Sequence, residues 1–212
     1  MRKKERALHI IACLEQDYPD ALCSLQYPKD YELLFAVRLA AQCTDERVNK
    51  TTPELYTRFP TLEAFAEANI EDVAEIVRPC GFYRTKAKDL VEAAQMILRD
   101  FGGKVPDNMD DLLKLPGIGR KTANLILGDI YNVPGSIVVD THCIRLTNRM
   151  GLIDGLKDPA KIETELRKIL PPDKSNDFCH RLVLHGRAVC TARKAKCEIC
   201  NVAPYCKYFT NQ

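Results

Sequence analysis

The chain has no stretch that approaches the roughly twenty consecutive apolar residues of a membrane span. It has almost no strand signal: the β-branched run Ile137-Val138-Val139 is too short to seed a sheet. It has no internal repeat and no low-complexity segment. Its start, MRKKERALHIIACLEQD, has a charged front but no long apolar run and no A-x-A cleavage site, so it reads as a helix rather than a leader. Net charge of either sign is also lacking, with 31 Lys and Arg against 29 Asp and Glu, or +2 overall. These absences argue against a membrane protein, a β-fold, a solenoid and an exported disulfide scaffold, and they point to the cytosol. Near-neutral charge does not decide about nucleic acid; what matters is where the cations sit. They gather at Arg2-Lys3-Lys4 and again at Arg187, Arg193, Lys194, Lys196 and Lys207, local patches suited to searching along a polyanion. Surface solvation is the plainer fate of any one of them.

What is present is helical periodicity. The 212 residues can build one large domain or two small lobes around a sizeable core. The pattern predicts an all-α fold of about ten helices with short connections. The first covers residues 1–17, with Leu8, Ile11 and Leu14 inward. Asp30 is expected to cap a mostly apolar helix over 31–43, and Thr44-Asp45 the helix DERVNKTTPELYTRF. Thr61 begins LEAFAEAN, and Ile70 to Val77 follows, closed by Pro79-Cys80-Gly81. A long amphipathic helix starts at Tyr83 or Thr85 and ends at Gly102-Gly103. Shorter helices are expected over 109–114, 121–130 and 140–149, then one from Pro159 and one over 176–189.

The chain is organised around Leu115-Pro116-Gly117-Ile118-Gly119-Arg120-Lys121-Thr122. Gly117 and Gly119 stand where a tight turn needs positive φ and close backbone approach. The turn opens directly into a helix, so bare N–H groups and the positive end of the helix dipole meet at Gly119–Lys121, a ready phosphate site. Arg120 and Lys121 add two cations there. An ordinary glycine turn with a solvated lysine is the plainer alternative. Further on, Asp140 stands between Ile137-Val138-Val139 and Thr141-His142-Cys143-Ile144. One helix and one return loop separate it from Lys121, enough chain to bring amine and carboxylate together. Helix capping is its structural alternative.

Ten cysteines in a chain of this length and compartment point to metal rather than disulfides. Cys190, Cys197, Cys200 and Cys206 are spaced C-x6-C-x2-C-x5-C, and four thiolates can hold either tetrahedral zinc or an iron–sulfur cubane. Cys13, Cys23, Cys43, Cys80, Cys143 and Cys179 lie scattered on apolar faces and read as core.

With AAQCTDERVNK, GFYRTKAKDL, LPGIGRKTANLIL, VVDTHCIRLTNRMGL, LHGRAVC and the four-cysteine tail in view, the chain resembles the endonuclease III family. These are helix-hairpin-helix DNA glycosylases with a C-terminal [4Fe–4S] cluster. The resemblance runs from about residue 30 to 206 and combines three independent features: hairpin, distant aspartate and cysteine spacing. It implies two helical lobes. One is a six-helix barrel over 24–134 carrying the hairpin; the other, from 1–23 and 135–212, carries the cluster on Cys190, Cys197, Cys200 and Cys206, and DNA lies between the lobes. It implies a monomer acting at a bacterial or archaeal nucleoid on double-stranded DNA containing oxidised pyrimidines or abasic sites.

The resemblance makes Lys121 the nucleophile and Asp140 its partner. A free lysine is almost wholly protonated at neutral pH. The helix N-terminus and Arg120 disfavour its cation, and Asp140 must help take the proton. The resemblance also implies that Gln42 fills the hole left by a flipped base, while Phe82 wedges the opposite strand. The family more often has an aliphatic residue at the latter position, a departure that bears on opposite-base preference; an aromatic ring can still stack there. Thr44, Asp45 and His142 match positions around the lesion pocket, with capping or core packing as the alternative for Thr44 and His142. Arg193 and Lys194, in the loop between the first two ligands, are expected to touch phosphate.

Two rivals differ in class or detail. An adenine-mismatch glycosylase shares hairpin, aspartate and cluster but lacks the lysine and carries a further C-terminal domain; Lys121 and the end of the sequence at 212 argue against it. A non-catalytic helix-hairpin-helix module with a zinc tail would not need Asp140 beside Lys121.

Overall fold

The computed structural model describes residues 1–210. Twelve α-helices occur among them, in chain order α1 (Lys3–Asp17), α2 (Asp30–Leu39), α3 (Asp45–Arg58), α4 (Leu62–Ala66), α5 (Ile70–Val77), α6 (Tyr83–Phe101), α7 (Met109–Leu112), α8 (Arg120–Asp129), α9 (Thr141–Met150), α10 (Pro159–Ile169), α11 (Ser175–Ala188) and α12 (Lys207–Thr210). Short 3-10 turns supplement them, including Arg78–Cys80 and Cys197–Ile199. The fold class is all-α, as expected. Ile137, Val138 and Val139 form a buried connection outside any helix. The helices gather into two compact units, Cys23–Tyr131 and Met1–Leu22 with the chain from Asn132 onward.

In the unit Cys23–Tyr131, α2 is nearly all apolar and buries Leu33, Leu34, Phe35, Ala36 and Leu39. Phe35 packs on Phe65 with ring centroids 4.8 Å apart, and Phe59 closes on the same ring at 5.3 Å. The side chain of Thr44 accepts the Arg47 N–H at the start of α3, and that of Thr61 accepts the Ala64 N–H at the start of α4. Each such cap stabilises by about 1 kcal/mol. Helix α6 ends on Gly102 in the left-handed conformation, with the Gly103 N–H donating back to the Ile97 carbonyl at 3.0 Å.

Two sequence expectations need correction here. Asp30 lies inside α2, and Lys29, without a side-chain cap, precedes it. Helix α2 ends at Leu39 rather than Cys43, because the chain leaves helical geometry at Gln42, whose φ is +56°.

In the other unit, α1 turns Ala7, Ile10, Ile11 and Leu14 inward. Ile11 and Leu14 are buried as expected, but Leu8 is 48% exposed; Ala7 takes its place in the stripe, which follows the i, i+3, i+4, i+7 spacing of one helical face. Helix α11 buries Phe178, Cys179, Leu182 and His185. Of the six scattered cysteines, Cys80, Cys143 and Cys179 are core; Cys13, Cys23 and Cys43 are only half-buried. Among the described residues no helix is long and apolar enough to cross a membrane.

Candidate nucleic-acid interface and cysteine loop

The glycine hairpin sits in the unit Cys23–Tyr131. Asn108 caps α7 through the Asp111 N–H, Leu115 and Ile118 are buried, and the Ile118 N–H donates to the Leu115 carbonyl at 3.2 Å. These anchors leave Gly117 at the apex with φ +72°. Beneath it lies the pair Arg38–Asp89, with Nε to Oδ2 at 2.6 Å and Nη2 to Oδ2 at 2.5 Å. A Cβ at Gly117 would come within 2.6 Å of both the Arg38 Cδ and the Asp89 Oδ2.

Gly119 does not have the positive φ expected of it. It is extended, at φ −105° and ψ 175°, and serves as the N-cap of α8 without any side-chain cap. Nothing lies within 4 Å of a Cβ placed there. The bare cap therefore leaves room for an approaching group at the positive helix end, where the first-turn N–H groups lack intrahelical acceptors. Arg120 and Lys121 stand exposed on that first turn.

The two glycines should respond differently to alanine. Gly117→Ala forces a left-handed side chain, at about 1–2 kcal/mol, and displaces the Arg38–Asp89 pair besides. Its melting temperature should fall clearly. Gly119→Ala should cost about 0.5–1 kcal/mol, since alanine is a poorer N-cap than glycine, and should in addition weaken duplex binding by crowding the cap. Calorimetry and fluorescence anisotropy on the same preparations check both.

Gln42 and Phe82 lie exposed on two loops of the same unit, Phe82 at 68% exposure. Both have left-handed backbones, at φ +56° and φ +47°. Thr44 is the side-chain cap of α3, so its capping role is observed. Asp45 begins that helix and accepts the Ser24 hydroxyl at 2.5 Å.

Asp140 belongs to the other unit. Its carboxylate accepts the Cys143 N–H at 2.7 Å as the N-cap of α9. His142, on the first turn of α9, is half-buried, with its Nδ1 3.2 Å from the Arg145 Nη2. Gly186 of α11 lets α9 come close, since a Cβ there would meet the His142 ring and, at 2.9 Å, the Arg145 Nη2.

Helix α9 is also tied to the cysteine loop, by two arginines that the sequence reading left unassigned. Arg145 donates to the carbonyls of Gly186 at 3.3 Å and Cys190 at 3.1 Å. Arg149 donates to the Cys190 Sγ at 3.3 Å and to the carbonyls of Thr191 at 2.7 Å and Ala192 at 3.0 Å, while its guanidinium lies 5.2 Å from the centre of the Tyr208 ring. Their spacing on α9, i and i+4, places both on one face, the only signal the sequence carried.

Cys190, Cys197, Cys200 and Cys206 all line one small cavity, together with Val202 and Ala203. Among the described residues no three Cys, His, Asp or Glu side chains converge as a single-ion site does. All four cysteines thus border the same space. Burial pushes the Cys200 thiol up to about 11. His185, buried beside it with Nε2 3.6 Å from the Cys200 Sγ, is held below the usual histidine range by the same desolvation. Arg193 and Lys194 are exposed on the turn after Cys190, which Thr191 folds by accepting the Lys194 N–H at 3.2 Å.

A glycine hairpin that opens on an uncapped helix end, in an all-α chain with a four-cysteine loop, defines a helix-hairpin-helix protein. Residues 35–172 match the model of the HhH-GPD superfamily base excision DNA repair protein. The chain belongs to the HhH-GPD superfamily. It is 44% identical over 204 residues to endonuclease III of Synechocystis sp., covering 96% of this chain and 93% of that protein. It is 37% identical over 205 residues to endonuclease III of Escherichia coli K12, covering 97% and 96%. Among solved structures, a trapped endonuclease III–DNA covalent intermediate, an estranged-adenine complex, superposes with a TM-score of 0.91 at 34% identity, covering 100% of this chain and 99% of that one.

Proposed function

We propose that the chain is a bifunctional DNA glycosylase and abasic-site lyase of base excision repair, acting on duplex DNA that carries oxidised pyrimidines. The observation that supports this most directly is the likeness over the whole chain to a relative trapped as a covalent intermediate with DNA. Covalent chemistry needs a nucleophile, and Lys121 is an exposed amine on the first turn of the uncapped helix.

In this reading the Asp140 carboxylate draws the proton from the Lys121 ammonium, the proton passes on to the departing base, and the carboxylate, negative again, offsets the positive charge on the sugar. The neutral amine attacks C1′ of the deoxyribose as the N-glycosidic bond breaks and the base leaves with the electron pair. Loss of the ring oxygen from C1′ gives an imine. That imine acidifies the C2′ proton, and its removal expels the 3′ phosphate, nicking the strand. The lesion must leave the stack first; Gln42 fills the vacated space and Phe82 wedges the facing strand. The phosphate backbone is held at Gly117, Gly119 and Arg120, and by Arg193 and Lys194 on the cysteine turn. Thr44, Asp45 and His142 border the pocket. The unit Cys23–Tyr131 serves as the hairpin-bearing barrel, and the unit of Met1–Leu22 with the chain from Asn132 onward as the cluster-bearing domain.

We read the four thiols around that cavity as the holders of an iron–sulfur cubane, as the likeness to endonuclease III supports, with zinc as the alternative that four thiolates allow. Tetrahedral zinc, with bonds near 2.3 Å, draws its sulfurs to about 3.8 Å from one another, whereas a cubane is held at its corners by thiolates around a larger space. Cys190, Cys197, Cys200 and Cys206 would hold the cluster, which would cross-link the last loop. Arg149 braces that loop, so Arg149→Ala should yield protein with less iron per chain and weaker visible absorbance. Iron assay and spectrum check it.

The test of the function is an assay on duplex containing thymine glycol, with and without alkali after the reaction. Equal cleavage in both arms supports a coupled lyase. Cleavage only after alkali means a glycosylase without lyase action, and none in either arm overturns the proposal.

A further inference from the structure

Lys86 is a cation on the apolar stripe of α6, 1% exposed. Its Nζ donates to three backbone carbonyls: Leu39 at 2.8 Å, Ala41 at 2.7 Å and Cys80 at 2.8 Å. An ammonium has three N–H groups, and all three are used. The Leu39 and Ala41 carbonyls lie at the C-terminal end of α2, where acceptors lack helical partners and the dipole is negative. Cys80 closes the 3-10 turn Arg78–Cys80. One side chain thus fastens two loops that are far apart in sequence.

The residues just past each anchor are Gln42, after Ala41, and Gly81-Phe82, after Cys80. Only three non-glycine residues among those described have positive φ, and Gln42 and Phe82 are two of them. Side chains disfavour that region, and it persists where surrounding structure over-determines it. Here the surrounding structure includes the ammonium that holds the preceding carbonyl of one loop and, two residues back, of the other. Both side chains project into solvent. Arginine could not replace the lysine simply: its planar fork does not match three carbonyls converging on one point.

We infer that Lys86 is a positioning residue for lesion extrusion, its ammonium holding the Gln42 and Phe82 loops together as one rigid two-pronged element. This rests on the reading of Gln42 and Phe82 as the residues that enter DNA. Loops ordered in advance insert without a fresh entropic cost at each encounter, so a loosened pair extrudes bases less often.

The test compares Lys86→Met and Lys86→Gln with Gln42→Ala, Phe82→Ala and the double variants. Substrates are a thymine-glycol duplex, which requires extrusion, and a single-stranded abasic oligonucleotide, which does not. The expected result is a loss of about tenfold or more on the duplex and under about twofold on the single strand, with the Lys86 loss failing to add to that of Gln42→Ala. A fluorescent 2-aminopurine facing the lesion should lose its burst of unstacking. Wild-type excision by a folded Lys86 variant, equal losses on both substrates, or additivity would overturn the inference. Wild-type duplex activity in both Gln42→Ala and Phe82→Ala would overturn the premise about the loops instead. Nitrogen NMR of the wild-type ammonium gives a readout that no variant can spoil. An immobile, slowly exchanging signal that persists when lesion duplex binds supports the role, and a mobile, fast-exchanging one rejects it.

Discussion

Lys121→Gln should abolish strand nicking and borohydride-trapped adducts on abasic DNA while leaving the protein folded. The residue is exposed on the first turn of α8, so the substitution empties no core space. Glutamine has nearly the helix propensity of lysine. Removing a cation from a helix N-terminus is mildly favourable, by about 0.3–1 kcal/mol. The melting temperature should therefore hold or rise slightly. The chemistry has no such tolerance. Without the amine no imine forms, the C2′ proton is not acidified and the 3′ phosphate is not expelled, so nicking should fall by at least about a thousandfold. Duplex binding should lose only one cation's share, seen as a salt slope shallower by about one unit. Base release by a water molecule could survive and would show only after alkali. Nicking retained at the wild-type rate would remove Lys121 from the mechanism.

The hairpin was legible from sequence because its determinants are local. Two glycines, a proline and a flanking apolar pair specify the turn, and Arg120-Lys121 follows at once. Even there the two glycines were not distinguishable: Gly117 needs its positive φ and the space over Arg38–Asp89, while Gly119 is extended and merely bare. The caps at Thr44, Thr61 and Asp140 were legible for the same local reason.

What sequence did not disclose depends on partners distant along the chain. The early end of α2 follows from Gln42 entering left-handed space, and no glycine or proline marks that position. Lys86 reads as one more charge on an amphipathic helix until the carbonyls of Leu39, Ala41 and Cys80 are seen around its Nζ. Arg149 is another such case, since the atoms it clamps lie in the loop after Cys190. Leu8 fell on the wrong side because at a period of 3.6 both Ala7 and Leu8 stand near the face of Ile11, and only packing settles which of them turns inward.

Asp140→Asn should cripple base excision without unfolding the chain, and the cap geometry is what makes the experiment clean. The carboxylate accepts the Cys143 N–H at 2.7 Å, and an asparagine side chain can do the same with its carbonyl oxygen. Asparagine and aspartate are equally good N-caps, so the stability change is limited to the lost charge near the helix dipole, a few tenths of a kcal/mol up to about 1. What the amide cannot do is accept a proton from an ammonium or offset positive charge on the sugar. Loss of a positioned acid–base group typically costs 10²–10⁴-fold, and excision from thymine-glycol duplex should fall by about that range. Asp140→Ala separates the two roles. It removes charge and cap together, so it should show the same catalytic loss plus about 1 kcal/mol of destabilisation, a melting temperature lower by about 2–4 °C. Matching catalytic losses with different melting temperatures would assign Asp140 to chemistry and capping separately. Near-wild-type excision by the asparagine variant would reduce the residue to the cap alone.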